Sequence, residues 1–196
     1  MKSIILASTS PRRSTLLKQL GLKFTVVPSL IEEKFNPRLR PRGQAEALSL
    51  KKAQEVADKI SAKKAAAVII AADTFISIND DVLGKPKDDR GARRMLRRLS
   101  GKKHSVITGF TIIDTVTKKS VSKSVETFVY FRKLSEKEIC DYVKIEKLSD
   151  KAGSYAIQGI GAILVEKIEG DYFNIVGLPL NSLALELRKF GVEVLS

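Results

Sequence analysis

The chain has 196 residues, 43% of them hydrophobic and 29% charged, with 12 Gly and 6 Pro; this fits one globular domain or two intimate lobes and excludes a disordered or fibrous chain. A single cysteine, Cys140, excludes an internal disulfide, and a single histidine, His104, excludes any multi-histidine metal centre, while a metal held by oxygen ligands stays open. Lys and Arg number 35 against 22 Asp and Glu, a formal net charge of +13, which favours a polyanion or a phosphorylated small molecule as partner.

Residues 4–7 are apolar enough for a short buried strand. Ser8-Thr9-Ser10-Pro11 then reads as a turn that caps a helix over 12–20, closed by Gly21. Residues 24–27 form a second strand. Residues 31–43 are polar, include Pro37 and Pro41, and read as a loop. Over 44–60, Ala45, Leu48, Ala53, Val56 and Ile60 share one helical face. Residues 67–78 are expected to be a strand broken in the middle by Asp73-Thr74, with Asn79-Asp80-Asp81 as a hairpin turn. A basic helix over 88–99 follows, then a long antiparallel pair over 105–114 and 121–131. Residues 135–143 open on a capping box, Ser-Glu-Lys-Glu. A further hairpin is expected over 161–168 and 172–176, and a closing helix over 180–190. Helices and strands alternate, yet some strands follow one another directly, which predicts an α/β fold on a mixed sheet. The longest apolar run, 65–72, is far below the ~20 residues a membrane helix needs. The N-terminal apolar run is too short for a signal-peptide core, so a cytoplasmic setting is expected.

Four clusters could carry chemistry, each read as lying at or just after the end of a strand, where open α/β folds gather ligands. Ser8, Thr9, Ser10, Pro11, Arg12 and Arg13 combine hydroxyls, a helix N-terminus and two guanidinium forks. That set suits a phosphate chain, although Ser and Pro also begin ordinary helices. Asp73, inside an apolar run, needs a cation, a metal or a donor network, because an ionised carboxylate is costly to bury alone; the plainer reading is a strand-end cap. In Gly84-Lys85-Pro86-Lys87, Pro86 stiffens a loop that aims Lys85 at phosphate, unless Lys85 is merely solvated. The stretch from Asp150 to Gly159, followed by Gly161, offers Gln158 as a donor and acceptor for a base edge, or is only a Gly-rich turn. Residues 84–104 carry nine Lys or Arg against two Asp. This is a solvated face or a polyanion contact, with Arg90, Arg93, Arg94, Arg97 and Arg98 recurring along it. His104 and Cys140 read as structural, and Lys52, taken alone, as a solvated lysine.

Together the clusters carry a resemblance that spans nearly the whole chain. L-A-S-T-S-P-R-R, E-E at Glu32-Glu33, K-A at Lys52-Ala53, A-A-D-T, G-K-P, L-S-G-K-K-H-S-V-I-T-G, E-T at Glu126, D-K-A-G-S-Y-A-I-Q-G-I-G and V-G-L-P-L stand in fixed order. The sequence resembles the Maf family of nucleoside triphosphate pyrophosphatases. The resemblance implies one ITPase-like domain over 1–196: a two-lobed α/β fold with an elongated mixed central sheet flanked by helices, a cleft between the lobes, and a homodimer. It implies cleavage of a nucleoside triphosphate between the α and β phosphates, with Asp73 as general base. Ser8, Ser10, Arg12, Arg13, Lys52 and Lys85 would bind substrate. Glu33 and Asp73 would meet a divalent cation, Mg²⁺ or Mn²⁺. Arg12, Thr74 and Gln158 match the branch acting on dTTP and UTP; the marks of the 7-methyl-GTP branch are missing. The reading from a different class is a basic nucleic-acid-binding or cell-division regulatory protein without catalysis, set against the lack of Trp and of any known binding module.

Overall fold

The computed structural model describes residues 2–34, 36, 38–63, 65–79, 81–148 and 151–195. Among them, β1 (Ser3–Leu6), β2 (Thr25–Val26), β3 (Ala67–Ile78), β4 (Asp81–Leu83), β5 (Lys103–Asp114), β6 (Ser120–Phe131) and β7 (Val165–Glu169) form one sheet. Its order is β2-β1-β3-β5-β6-β7, with β4 also paired to β3. β1 runs parallel to β2 and β3, and the remaining pairs are antiparallel. The mixed sheet expected from directly successive strands is therefore present. Of the expected hairpin turn after β3, Asp80 lies outside the described residues, as does Pro37 of the polar loop; Asn79 takes a left-handed φ of 51°.

Helix α2 (Pro41–Ala62) covers one sheet face, burying Ala45, Leu48, Ala53, Val56 and Ala57. It starts earlier than its apolar periodicity suggests because Pro41 opens it, where the missing N–H costs nothing. The opposite face is covered by α1 (Pro11–Gln19), α5 (Tyr172–Val176) and α6 (Leu180–Arg188); Leu16, Leu17, Leu183 and Leu187 pack there on Leu6, Ile70, Phe110 and Ile112. A separate core lies toward the far end of β3. There α3 (Asp89–Leu99) and α4 (Glu136–Ile145) enclose Ile76, Leu83, Leu96, Val129, Phe131 and Ile139. The capping box of α4 is complete, with Ser135 and Glu138 each satisfying the other's backbone N–H. Cys140 on this helix is only half-buried.

Two sequence expectations change. β3 is not broken at Asp73-Thr74: its register with β5 runs without interruption from Val68 opposite Asp114 to Ser77 opposite Ser105. The polar pair is tolerated because Asp73 meets Lys52 and Thr74 meets Thr108. The second hairpin is replaced by a 3₁₀ segment (Gly159–Leu164), the edge strand β7 and the short helix α5. Residues 172–176 become helical because the Asp171 carboxylate caps the Phe173 N–H and the wholly buried Asn174 anchors the turn to the Val106 carbonyl.

His104 lies in the second core, its Nε2 2.8 Å from the Tyr155 hydroxyl and its ring edge-on to Phe131. Burial pushes its pKa from 6.5 down to about 4. The folded state therefore refuses a proton that the unfolded chain takes up below 6.5. Stability is full above that pH, falls as pH drops through the window to about 4, and levels off below it. The loss should be on the order of 3 kcal/mol. Urea unfolding between pH 8 and 4.5 should show it, and a His104→Gln protein should lack that component.

Candidate active site

The cleft follows from strand lengths. β5 occupies one side of β3 along almost its whole length. On the other side β1 reaches only to Leu6 opposite Ile70, and β4 begins only at Ile76. Residues 71–75 thus lie along an edge with no strand beside it among the described residues, and Asp73 is at its centre. A cavity of about 480 Å³ opens there. Its walls come from the turn after β1, α1, the loop before α2, the segment after β4, and the segments flanking the 3₁₀ turns.

Every residue singled out from the sequence for substrate, specificity or metal lines this cavity: Ser8, Ser10, Arg12, Arg13, Glu33, Lys52, Asp73, Thr74, Lys85 and Gln158. Asp73 is only 4% exposed and Lys52 8%, and the two form an ion pair. Lys52 is thus no solvated lysine. Its ammonium also donates to Glu33 Oε1 at 2.7 Å, and Lys85 reaches Glu33 Oε2 at 3.3 Å. Burial alone would raise the Glu33 carboxyl. The hydrogen bond and charge of Lys52, then those of Lys85, outweigh it and hold the group below the usual carboxylate range.

The turn after β1 serves both readings offered for it. Ser10 is the N-cap of α1, accepting from the Arg13 N–H, and Ser8 Oγ accepts from the Ser10 N–H at 3.2 Å. Both residues also line the cavity. Arg13 is held by three acceptors: the Gly177 carbonyl at 2.9 Å, Thr74 Oγ1 at 3.0 Å and Ser8 Oγ at 3.4 Å. Burial lowers its pKa, opposed by Asp73 and Glu33 and assisted by Arg12; a guanidinium keeps its charge at any working pH.

Not every cluster sits where the sequence placed it. Asp73 is in a strand interior, and the Gly-rich segment follows α4, so only the first and third clusters follow strand ends. Asp150 lies outside the described residues. The Gly153 N–H donates to the Gly84 carbonyl, which fastens the segment bearing Gln158 to the one bearing Lys85. The arginines of α3 do not line the cavity. Arg97 is paired with Glu136 and Arg98 with Asp81, so part of that basic face is neutralised internally. Tyr155, within the Gly-rich cluster singled out from the sequence, also lines the cavity, whereas Ile175 as a lining residue and Gly177 as the partner of Arg13 were not foreseen. Gly177 stands in the V-G-L-P-L motif, which carries no sign of the Arg13 contact, and here takes a φ of 122°.

A family profile described as Maf-like protein matches residues 3–190. The dTTP/UTP pyrophosphatase of Thermoanaerobacter sp. (strain X514) is 50% identical over 193 residues, covering 98% of this chain and 99% of its own. That of Ruminiclostridium cellulolyticum is 46% identical over 196 residues and 100% of both chains. That of Caldicellulosiruptor saccharolyticus is 43% identical over 195 residues, with 100% of this chain and 98% of its own covered.

Proposed function

The chain belongs to the Maf family, and from that premise we propose that it hydrolyses dTTP and UTP to the monophosphate and pyrophosphate. The observation that carries this reading is the convergence of Arg12, Arg13, Lys52 and Lys85 with one buried carboxylate, Asp73, on a single cavity of nucleotide size.

In this reading the triphosphate lies along the α1 N-terminus and the two lysines, which neutralise its charge and align the α-phosphorus for in-line attack. Lys52 bonds Glu33 and Asp73, and Lys85 bonds Glu33, so an incoming phosphate exchanges with carboxylate oxygens for the same ammonium groups. That exchange leaves Asp73 able to take the proton of the attacking water. Gln158 and the apolar wall of Ile157 and Ile175 face the base.

Glu33 and Asp73 converge on one point, the Lys52 ammonium, and both offer hard oxygen donors, so they fit Mg²⁺ or Mn²⁺. Among the described residues no group of three or more such side chains exists, so substrate phosphate oxygens would have to complete the shell. Such an ion supplies neutralisation of phosphate charge and a more acidic bound water. The family resemblance supports a homodimer, which light scattering would measure. No helix among the described residues is long and apolar enough to cross a membrane, and a cytoplasmic setting accords with a nucleotide substrate.

Pyrophosphate release over a panel of nucleoside triphosphates tests the proposal: release from dTTP and UTP should exceed that from purine nucleotides, and no release from either sinks it. In the same panel Gln158→Glu removes the amide donor and should lower kcat/KM for UTP roughly tenfold, the cost of one hydrogen bond to the base edge. An unchanged profile would take Gln158 out of base recognition.

A further inference from the structure

Thr74 stands where the family resemblance puts a specificity residue, but the single hydrogen of its hydroxyl is already committed. Thr108 Oγ1 donates to the Asn174 carbonyl at 2.9 Å, which uses its one hydrogen. The 2.9 Å contact between Thr74 and Thr108 must then run from Thr74 to Thr108. Thr74 Oγ1 in turn accepts from Arg13 Nη2 at 3.0 Å. No hydrogen is left on Thr74 for the carbonyl oxygens of a pyrimidine.

The same bonds close a ring. The Gly177 carbonyl accepts Arg13 Nε at 2.9 Å, and the Gly177 N–H donates to the Asn174 carbonyl at 3.1 Å. Arg13, Thr74, Thr108, Asn174 and Gly177 thus join α1, β3, β5 and the end of α5 in one circuit. It rests on a fixed base: Asn174 is wholly buried, and its amide donates to the Val106 carbonyl and Thr127 Oγ1, both at 2.9 Å. Gly177 takes a φ of 122°, a conformation that side-chain-bearing residues rarely adopt, so glycine keeps the turn that presents its carbonyl to Arg13. Of the five guanidinium N–H groups, one goes to Gly177, one to Thr74 and one to Ser8. Among the described residues, one N–H on each terminal nitrogen has no partner and can serve a phosphate oxygen.

We propose that Thr108 is a positioning residue for phosphate recognition: through Thr74 it fixes the Arg13 guanidinium toward the phosphate chain. The inference rests on the phosphate clamp of the proposed function. A ring of hydrogen bonds with fixed direction holds a long side chain in one rotamer before substrate arrives, so less ordering entropy is lost on binding.

The test uses inorganic tripolyphosphate, which presents the anionic chain without a base, measured by calorimetry on the full chain. Thr108→Val keeps the shape and removes the hydroxyl. It should weaken tripolyphosphate binding and raise KM for UTP, each roughly tenfold, as expected when one bond to the charged Arg13 is no longer held in place, while the ratio of UTP to CTP turnover stays constant. Thr108→Ser should restore both. In an Arg13→Ala background Thr108→Val should have no further effect. If Thr108→Val does not fold, Thr74→Val, at a half-buried position, carries the same comparison. A wild-type protein that does not bind tripolyphosphate overturns the clamp and this inference with it. Wild-type binding with unchanged affinity in Thr108→Val overturns this inference alone. So does a Thr74→Val protein that changes the nucleotide ratio but keeps its tripolyphosphate affinity.

Discussion

Replacing Asp73 by Asn is expected to lower turnover by a factor of about 10²–10⁴, the usual contribution of a positioned general base, with folding and nucleotide binding retained. The amide has the size of the carboxylate, and its oxygen still accepts from Lys52. Lys52 also keeps Glu33 at 2.7 Å, so no buried charge is stranded. Removing Lys52 instead would leave two carboxylates facing each other and mix a folding cost with a catalytic one. The measurement is pyrophosphate release in single turnover, beside calorimetric binding of UTP and a thermal melt. A near-normal rate would falsify the base assignment, whatever the structure of the variant.

Much of this site was legible because its chemistry lies in short contiguous segments. Ser8 to Arg13 could be read as a cap or a phosphate turn, and it is both, since a helix N-terminus offers the same donors to a cap and to an anion. Asp73 announced itself by standing in an apolar run. Its partner did not: Lys52 sits 21 residues away among other lysines, and only the packing of α2 across β3 shows which lysine is buried. The expected break at Asp73-Thr74 had the same origin. A buried polar pair looks like a strand end until its partners on two other elements are known. Alternation sends Asp73 toward α2 and Thr74 toward α1 and α5, and each finds an acceptor or donor there. The strand expected over 172–176 failed because the residues that make it a helix, Asp171 and Asn174, act through a cap and a buried amide. Hydropathy does not register either.

Gly109→Ala is the substitution expected to cost the most stability. Gly109 pairs directly with Asp73 across the β3–β5 ladder, and α2 crosses over it. A Cβ built there would stand 2.2 Å from the Ala45 carbonyl carbon, 2.3 Å from its oxygen and 2.6 Å from the Glu46 nitrogen. All three atoms are helix backbone, so no side chain can turn aside and α2 itself must lift. Lifting it draws Leu48 out of its packing against Phe75 and Ile107 and opens the 2.8 Å contact between Ser49 and Thr111. It also carries Lys52, two helical turns beyond Ala45 and on the same face, away from Asp73. The combined loss should be about 4 kcal/mol, above the ~1–3 kcal/mol usual for overpacking because helix backbone must move, against a total stability of roughly 5–15 kcal/mol. Gly43, in the same helix, provides the contrast. A Cβ there meets only the Leu39 side chain, at 3.9 Å, so Gly43→Ala should stabilise the protein by about 0.5–1 kcal/mol through helix propensity. Denaturant midpoints of the two variants should therefore move in opposite directions. The folded fraction of Gly109→Ala should also release pyrophosphate more slowly, because the close approach that one missing side chain permits is what brings the base and its lysine together.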